Sequence, residues 1–325
     1  MTRRLAAAAL VVALALATAA GARAESFAAW LAAFQTEARQ EGISQATLEA
    51  AFAGVEPIAR VIELDRRQPE GRLTFEEYME RVVPGARMQR AQLRYLENKE
   101  LLDDVGQRFG VQPRSIVALW GIESDFGRNT GGYPVIAALA TLAHEGRRGE
   151  FFRAELVHAL HILDQGHIDL ASMQGSWAGA MGQSQFMPSS FNAYAQDFDG
   201  DGRRDIWNSK ADVFASAAHY LARAGWRGDQ TWGRRVRLPA GFDETQADLE
   251  IRKPISDWQG LGVRRLDGGD LPVRALTASI VLPPNSQPGT AYMVYDNFRS
   301  ILKWNRSTYF ALAVGALSDA VASAD

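Results

Sequence analysis

The segment from Pro113 to Gly127, P-R-S-I-V-A-L-W-G-I-E-S-D-F-G, constrains the fold of this chain more than any other. Ile116, Leu119, Trp120 and Glu123 recur at i, i+3, i+4 and i+7, one face of a helix, and Ile122 and Phe126 widen that face. A helix this apolar belongs inside a core and needs other elements to cover it. Pro113 suits an early helical position and Gly127 a C-terminal cap. Glu123 then sits on the apolar stripe one turn before the expected end, while Asp125 points elsewhere. A carboxyl among large apolar side chains is costly to ionise, so its pKa should rise, which prepares it to act as a general acid. The bland alternative is a helix-end acid serving a neighbouring loop, the commoner fate of a glutamate. The polar loop Gly127–Tyr133 suits a cleft wall. Trp120, Tyr133, Trp177, Tyr194 and Tyr220 offer aromatic surfaces of the kind on which sugars stack.

The rest of the pattern is mainly helical. Phe27, Trp30, Leu31 and Phe34 form a stripe, Ser44 opens a short second helix, and Val55-Glu56-Pro57 ends it. Thr74-Phe75-Glu76-Glu77-Tyr78 reads as a capped helix start, and one long helix is expected over 85–109, closed by Gly110. Further helices are expected over 150–164, over a turn in 191–198 and around Phe214–Leu221. Residues 173–188, rich in Gly, Ser and Ala, allow close backbone approach to a ligand or another element. Short apolar runs split by Gly, Pro and Asp make 233–290 strand-rich, and helical pattern returns from Asp296. The expected class is mainly α (α+β). The expected units are a leader 1–24, an N-terminal helical domain 25–100, a core 101–232, a small β-rich domain 233–290, and C-terminal helices 291–325 returning to the core.

Arg3 and Arg4 precede an apolar run from Leu5 to Ala20, followed by Ala22-Arg23-Ala24, the layout of a cleaved secretory signal. The run is short for a membrane anchor, and none is expected. Removing Arg3, Arg4 and Arg23 takes the formal charge from −3 to −6. An acidic chain without basic runs is a poor nucleic-acid binder. With no cysteine there is neither a disulfide nor a thioether lipid anchor, and stability must come from the core. A soluble, exported monomer is expected.

Asp197, Asp199, Asp201 and Asp205 stand at the first, third, fifth and ninth positions of an EF-hand-like calcium loop. Gly202 takes the sixth position and Arg203 the seventh, which supplies a backbone carbonyl. The closing position holds Asn208 instead of a bidentate Glu, and Asp212 could replace it if the loop is longer. The alternative is a D-G-D-G turn whose carboxylates cap backbone amides. The five histidines give no zinc pairing, and Gly182-Gln183-Ser184-Gln185-Phe186 lacks the last glycine of a nucleophile elbow. No partner acid for Glu123 stands out.

Several stretches occur together in one order: W-G-I-E-S-D-F-G-R (Trp120–Arg128), E-G-R-R-G-E-F-F (Glu145–Phe152), G-S-W-A-G-A-M-G-Q-S-Q-F-M-P-S-S (Gly175–Ser190), D-F-D-G-D-G-R-R-D-I-W (Asp197–Trp207), then Y-D-N-F and W-N-R-S-T-Y-F-A-L-A-V. In combination they resemble the lytic murein transglycosylase B family over nearly all of the chain after the leader. The resemblance implies a lysozyme-like helical core, soluble in the periplasm, that acts on peptidoglycan glycan strands and stem peptides. It implies cleavage of the β-1,4 bond between N-acetylmuramic acid and N-acetylglucosamine with a 1,6-anhydromuramic product and no required cofactor. Glu123 matches the single acid/base. Ser176, Gln185, Tyr220 and Asn305 match cleft residues, and Arg147 and Arg148 match a pair associated with the stem peptide. Two departures stand out: Phe310 replaces a Tyr, with Tyr309 one residue early as a substitute hydroxyl, and Trp304 stands where Tyr is common. A hydrolytic muramidase, a silent peptidoglycan-binding protein and a calcium-regulated binding module are the competing readings.

Overall fold

The computed structural model describes residues 25–67 and 73–322, so the leader lies outside the described residues. The Pro113–Ser124 helix is the axis of the fold. Every residue from Ser115 to Gly121 is buried, so the middle of the helix runs inside the core. Helices Gly85–Glu97, Lys99–Phe109, Lys210–Arg223 and Thr308–Ala322 pack around it. The contact with Thr308–Ala322 is close because Gly121 has no side chain. A Cβ there would stand 2.7 Å from the Phe126 ring and 2.9 Å from Leu317.

The helix ends earlier than the Gly127 cap predicts. Asp125 (φ 51°) and Phe126 (φ 61°) already adopt left-handed backbone, and Ser124 is the last helical residue. Asp tolerates this conformation better than most residues, and here its carboxylate is held by Arg87 at 3.2 Å and Arg90 at 3.0 Å. Glu123 is thus the penultimate helical residue, closer to the loop than the sequence suggests.

The expected 85–109 helix is two. Asn98 (φ −121°, ψ 19°) breaks it, with its side-chain amide turned back to the Arg94 carbonyl at 2.7 Å and its oxygen accepting from Lys210 Nζ at 3.1 Å. A side chain that bonds its own backbone competes with the helix in this way. Gly110 closes the second helix at φ 67°. The expected division at residue 100 therefore falls inside the Lys99–Phe109 helix. The N-terminal helices also share one continuous apolar core with the later ones, from Trp30 and Phe34 to Leu317 and Val321.

The Thr74 capping box, with Glu77 reaching back to the Thr74 amide at 2.8 Å, opens Phe75–Val82 as the motif predicts. Ala59–Arg66 and Val135–Glu145 are helices without a sequence expectation. The strand-rich region is an antiparallel five-stranded sheet in the order Lys253–Pro254, Thr277–Val281, Ala291–Val294, Gly233–Arg237, Arg264–Arg265. Its central strand lies beyond residue 290, so the β region extends past the expected boundary. Trp258, Ile280 and Met293 form a separate small core beneath it. A two-residue ribbon, Tyr133–Pro134 against Gln174–Gly175, fastens the loop after Glu123 to the Gly-rich segment. No helix among the described residues is long and apolar enough to cross a membrane.

Candidate active site

Glu123 is half-buried at the end of the axial helix. Ile116, Leu119, Phe214 and Trp304 wall the space beside it. Burial among these groups pushes its carboxyl up to about 8, against the opposing pull of the Trp304 indole, whose Nε1–H donates to Oε1 at 2.6 Å. The carboxyl is therefore protonated at neutral pH yet remains reachable from solvent, as a proton donor to a bound substrate must be. Tyr78 lies near enough for the Glu123 charge to raise its phenol, after burial, above the ordinary value.

Trp304 belongs to a cluster of rings. Its centroid lies 4.7 Å from Tyr220 and 5.1 Å from Phe186, and Tyr220 lies 4.5 Å from Tyr194. The Tyr220 hydroxyl donates to the Lys303 carbonyl at 2.7 Å and so fixes the backbone just before Trp304. Removing the indole donor should matter: Trp304→Phe is expected to lower kcat about tenfold and move the alkaline limb of the rate profile upward, because the carboxylate loses a stabilising N–H. Initial rates on purified cell-wall sacculi from pH 5 to 10 test this. An unchanged profile would remove Trp304 from the acid's tuning.

The Gly-rich segment closes against the axial helix through Gln183 and Ser124. Trp120 Nε1 donates to Gln183 Oε1 at 2.7 Å, and Ser124 Oγ donates to the Gln183 carbonyl at 2.8 Å. Gln185 sits at φ 48° and gives its amide to Thr130 at 3.1 Å and Gly182 at 2.8 Å, so it joins the two loops that flank Glu123. Ser176 Oγ accepts from the Ala178 and Ala180 amides at 3.3 and 3.1 Å, shaping the next turn. Asn305, exposed, accepts from the Ser307 amide at 3.0 Å just after Trp304.

The substitute hydroxyl is not free for the cleft. Tyr309 donates its OH to the Pro284 carbonyl and packs its ring 5.2 Å from Tyr78, while Phe310 is buried in the core. Arg147 and Arg148 converge on Asp65, whose side chain is 2% exposed. Arg147 binds it through two nitrogens, at 2.7 and 2.6 Å, and Arg148 through one at 3.0 Å. These donors, Arg147 first, outweigh burial and hold the Asp65 carboxyl below its ordinary value.

Asp125, the acid nearest Glu123 in sequence, is committed elsewhere: Arg87, Arg90 and Arg128 all pair with it. Burial acts to raise its pKa, but Arg90 and Arg87 prevail and hold it ionised. It is not available as a second acid.

In the candidate metal loop, carboxylate oxygens of Asp197, Asp199 and Asp212 come within 4.8 Å of one another. Asp201 instead accepts from the Arg203 amide at 2.8 Å, and Asn208 turns to Asp205 at 3.1 Å. Asp201 thus stands outside the carboxylate group that converges. Calcium takes oxygens at about 2.3–2.6 Å, so three carboxylate oxygens this close fit around one ion. Asp212, from the following helix, and not Asn208, joins Asp197 and Asp199 in this group. The same carboxylates also cap amides: Asp197 binds Gly200 and Gly202 at 2.7 and 2.9 Å, and Asp212 binds Phe198 and Asp205, both at 2.7 Å.

Trp304, Tyr78 and Asp65 are the site residues that sequence reasoning did not assign. Only Trp304 left a signal, as a departure from the family pattern.

The chain matches the family model described as Transglycosylase SLT domain over residues 26–319. It is 33% identical over 263 residues to the membrane-bound lytic murein transglycosylase B of Escherichia coli (strain K12), spanning 76% of this chain and 67% of that one. SltB3 of Pseudomonas aeruginosa, solved with NAG-anhNAM-pentapeptide, superposes with a TM-score of 0.89 at 47% identity, covering 92% of this chain and 80% of that chain. The Escherichia coli lytic transglycosylase Slt35, solved with calcium, superposes with a TM-score of 0.76 at 29% identity, covering 90% of this chain and 93% of that chain. The expected mainly α, lysozyme-like class agrees with these folds. A match that runs from the first described helix to the last, through Glu123 and its ring cluster, means that the chain belongs to the transglycosylase SLT domain family.

Proposed function

We propose that the chain is a peptidoglycan lytic transglycosylase that cleaves the bond between N-acetylmuramic acid and N-acetylglucosamine, with Glu123 as its sole acid/base. The observation that carries this reading is a glutamate set among apolar side chains, which push its pKa up, and held by an N–H donor, with its neighbouring acid Asp125 locked in ion pairs. Glycosidases that work with two acids need a second carboxyl across the bond. A single glutamate suffices when the substrate supplies the nucleophile.

In the first step the Glu123 proton passes to the glycosidic oxygen, and the bond from that oxygen to muramic C1 breaks. The muramic N-acetyl carbonyl supports the cationic C1. In the second step Glu123, now a carboxylate, takes the proton from the C6 hydroxyl as O6 bonds to C1. Glu123 ends protonated, no water is consumed, and the product is 1,6-anhydromuramic. Trp304 stabilises the carboxylate between the two steps.

The ring cluster and the Ser176–Gln185 loop form the sugar-facing walls. Asn305 borders the same cleft. Arg147 and Arg148, preset by Asp65, face stem-peptide carboxylates. Asp197, Asp199 and Asp212 hold a structural calcium ion. Residues 1–24 direct export to the periplasm, where the mature chain works as a soluble monomer. Mass spectrometry of muropeptides released by the purified chain tests the chemistry. Anhydro ends are expected; products heavier by one water would identify a hydrolytic muramidase instead.

A further inference from the structure

The space beside Glu123 is a small cavity, with ≈ 10 Å³ open to the centre of a water molecule. Its apolar lining is core: Ile116 and Phe214 are 0% exposed, Leu119 and Val213 1%. Its polar lining comes from Glu123, Gln183, Ser184 and the indoles of Trp120 and Trp304. Gln183 is engaged, its Oε1 accepting from Trp120 Nε1 and its amide donating to the Trp207 carbonyl, and Trp304 donates to Glu123. Ser184 is itself 3% exposed, and its hydroxyl has no hydrogen-bond partner among the described residues. A buried hydroxyl left unpaired costs about 1–3 kcal/mol, so such groups are usually satisfied by protein or by an ordered water. A cavity of roughly 10–15 Å³ by this measure holds one water, provided that polar partners are at hand.

We propose that Ser184 holds one ordered water in this cavity, that the water hydrogen-bonds the Glu123 carboxyl, and that Ser184 is thereby a positioning residue for the acid. The inference rests on Glu123 acting as proposed above. Trp304, which also lines the cavity, gives the carboxyl one donor, and the water gives a second. The carboxylate that forms once the proton has left is then held by two donors in a site that otherwise disfavours charge. The other titratable and charged groups around Glu123 are accounted for. Tyr78 couples to it, and Arg87 and Arg90 on the Gly85–Glu97 helix are engaged by Asp125. Tyr220 on the Lys210–Arg223 helix donates to Lys303, and Tyr309 on the Thr308–Ala322 helix donates to Pro284. On Lys99–Phe109, the remaining packed helix, the charged residues Lys99, Glu100, Asp103, Asp104 and Arg108 are all exposed to solvent.

Ser184→Ala removes one oxygen and leaves the volume nearly unchanged. The expected result is a roughly 3–10-fold fall in kcat with KM unchanged, and an alkaline limb about half a unit to one unit higher. Ala217→Val, which fills the cavity and keeps the serine, should shift the limb in the same direction. If the cavity is dry and Ser184 merely unpaired, Ser184→Ala raises the melting temperature and leaves the profile at wild type, which overturns the proposal. An atomic-resolution crystal structure of the wild-type chain reads the water whatever Glu123 does. Density within hydrogen-bond reach of both Ser184 Oγ and the Glu123 carboxyl is expected, and an empty cavity sinks the proposal even if Glu123→Gln is inactive. An active Glu123→Gln would instead bring down the acid assignment and, with it, the positioning role.

Discussion

Glu123→Gln is expected to lower turnover on peptidoglycan by roughly 10³-fold or more while making the chain more stable above pH 5. General acid–base catalysis alone contributes about 10²–10⁴-fold, and here one group serves both proton transfers, so its loss removes both. Gln keeps the carbonyl oxygen that accepts from Trp304 and has nearly the same shape, which separates chemistry from folding. The stability sign follows from linkage. The folded carboxyl titrates near 8 and the unfolded one near 4.5, so between those values the folded chain holds a proton that the unfolded chain has released. Stability falls by up to about 1.4 kcal/mol per pH unit across that window and then levels off. Gln has no such term. The melting temperatures of wild type and variant should coincide near pH 4 and separate by a few degrees near pH 8, with the variant higher. Wild-type kcat should fall as pH passes about 8, when Glu123 loses its proton. A variant with wild-type turnover would end the assignment of Glu123 as acid; a separation of melting temperatures that does not grow with pH would deny its raised pKa.

Glu123 was legible because helical spacing is local. A polar residue on an apolar stripe shows in eight consecutive positions, 116–123, without any knowledge of the fold. Its hydrogen-bond donor was not legible in the same way. Trp304 reaches Glu123 across 181 residues of chain, and no pattern within either segment encodes that meeting. Asp65 was hidden for the same reason: it meets Arg147 from 82 residues away, on a short helix that has no side-chain cap. The Val135–Glu145 helix was missed for a different cause. It is apolar nearly all round, so it has no polar face to reveal a period. The helix break at Asn98 turned on one side chain choosing its own backbone and Lys210 over the helix, a choice that tertiary contact decides. The β region was legible as a class but not at its edge, because the central strand Ala291–Val294 runs directly into the helical pattern at Asp296.

The calcium reading and the capping reading of the Asp197–Asp212 loop make opposite predictions, and Asp212 separates them. It is wholly buried, and burial pushes its carboxyl up to about 6, with the Asp199 charge adding to the rise and the Phe198 and Asp205 amides opposing it. Two backbone donors do not by themselves keep this group an ordinary acid; a cation would. In the metal-free chain the folded pKa lies above the unfolded value of 3.8. The native state then binds the proton more tightly, and its stability declines as pH rises from about 4 to 6. On the calcium reading, the ion binds the carboxylate and reverses that penalty. Millimolar calcium is therefore expected to raise the melting temperature at pH 7.5 by several degrees and to have little effect at pH 5, where Asp212 is protonated. Asp212→Ala should abolish the calcium effect and lower stability by roughly 2–5 kcal/mol, since it also strands two backbone amides. Asp212→Asn should also lose the calcium response while losing less stability than Ala, because its side-chain oxygen still accepts a hydrogen bond. Melting curves with calcium and with chelator at the two pH values decide the matter. A wild-type chain indifferent to calcium at pH 7.5 would leave these carboxylates as caps alone.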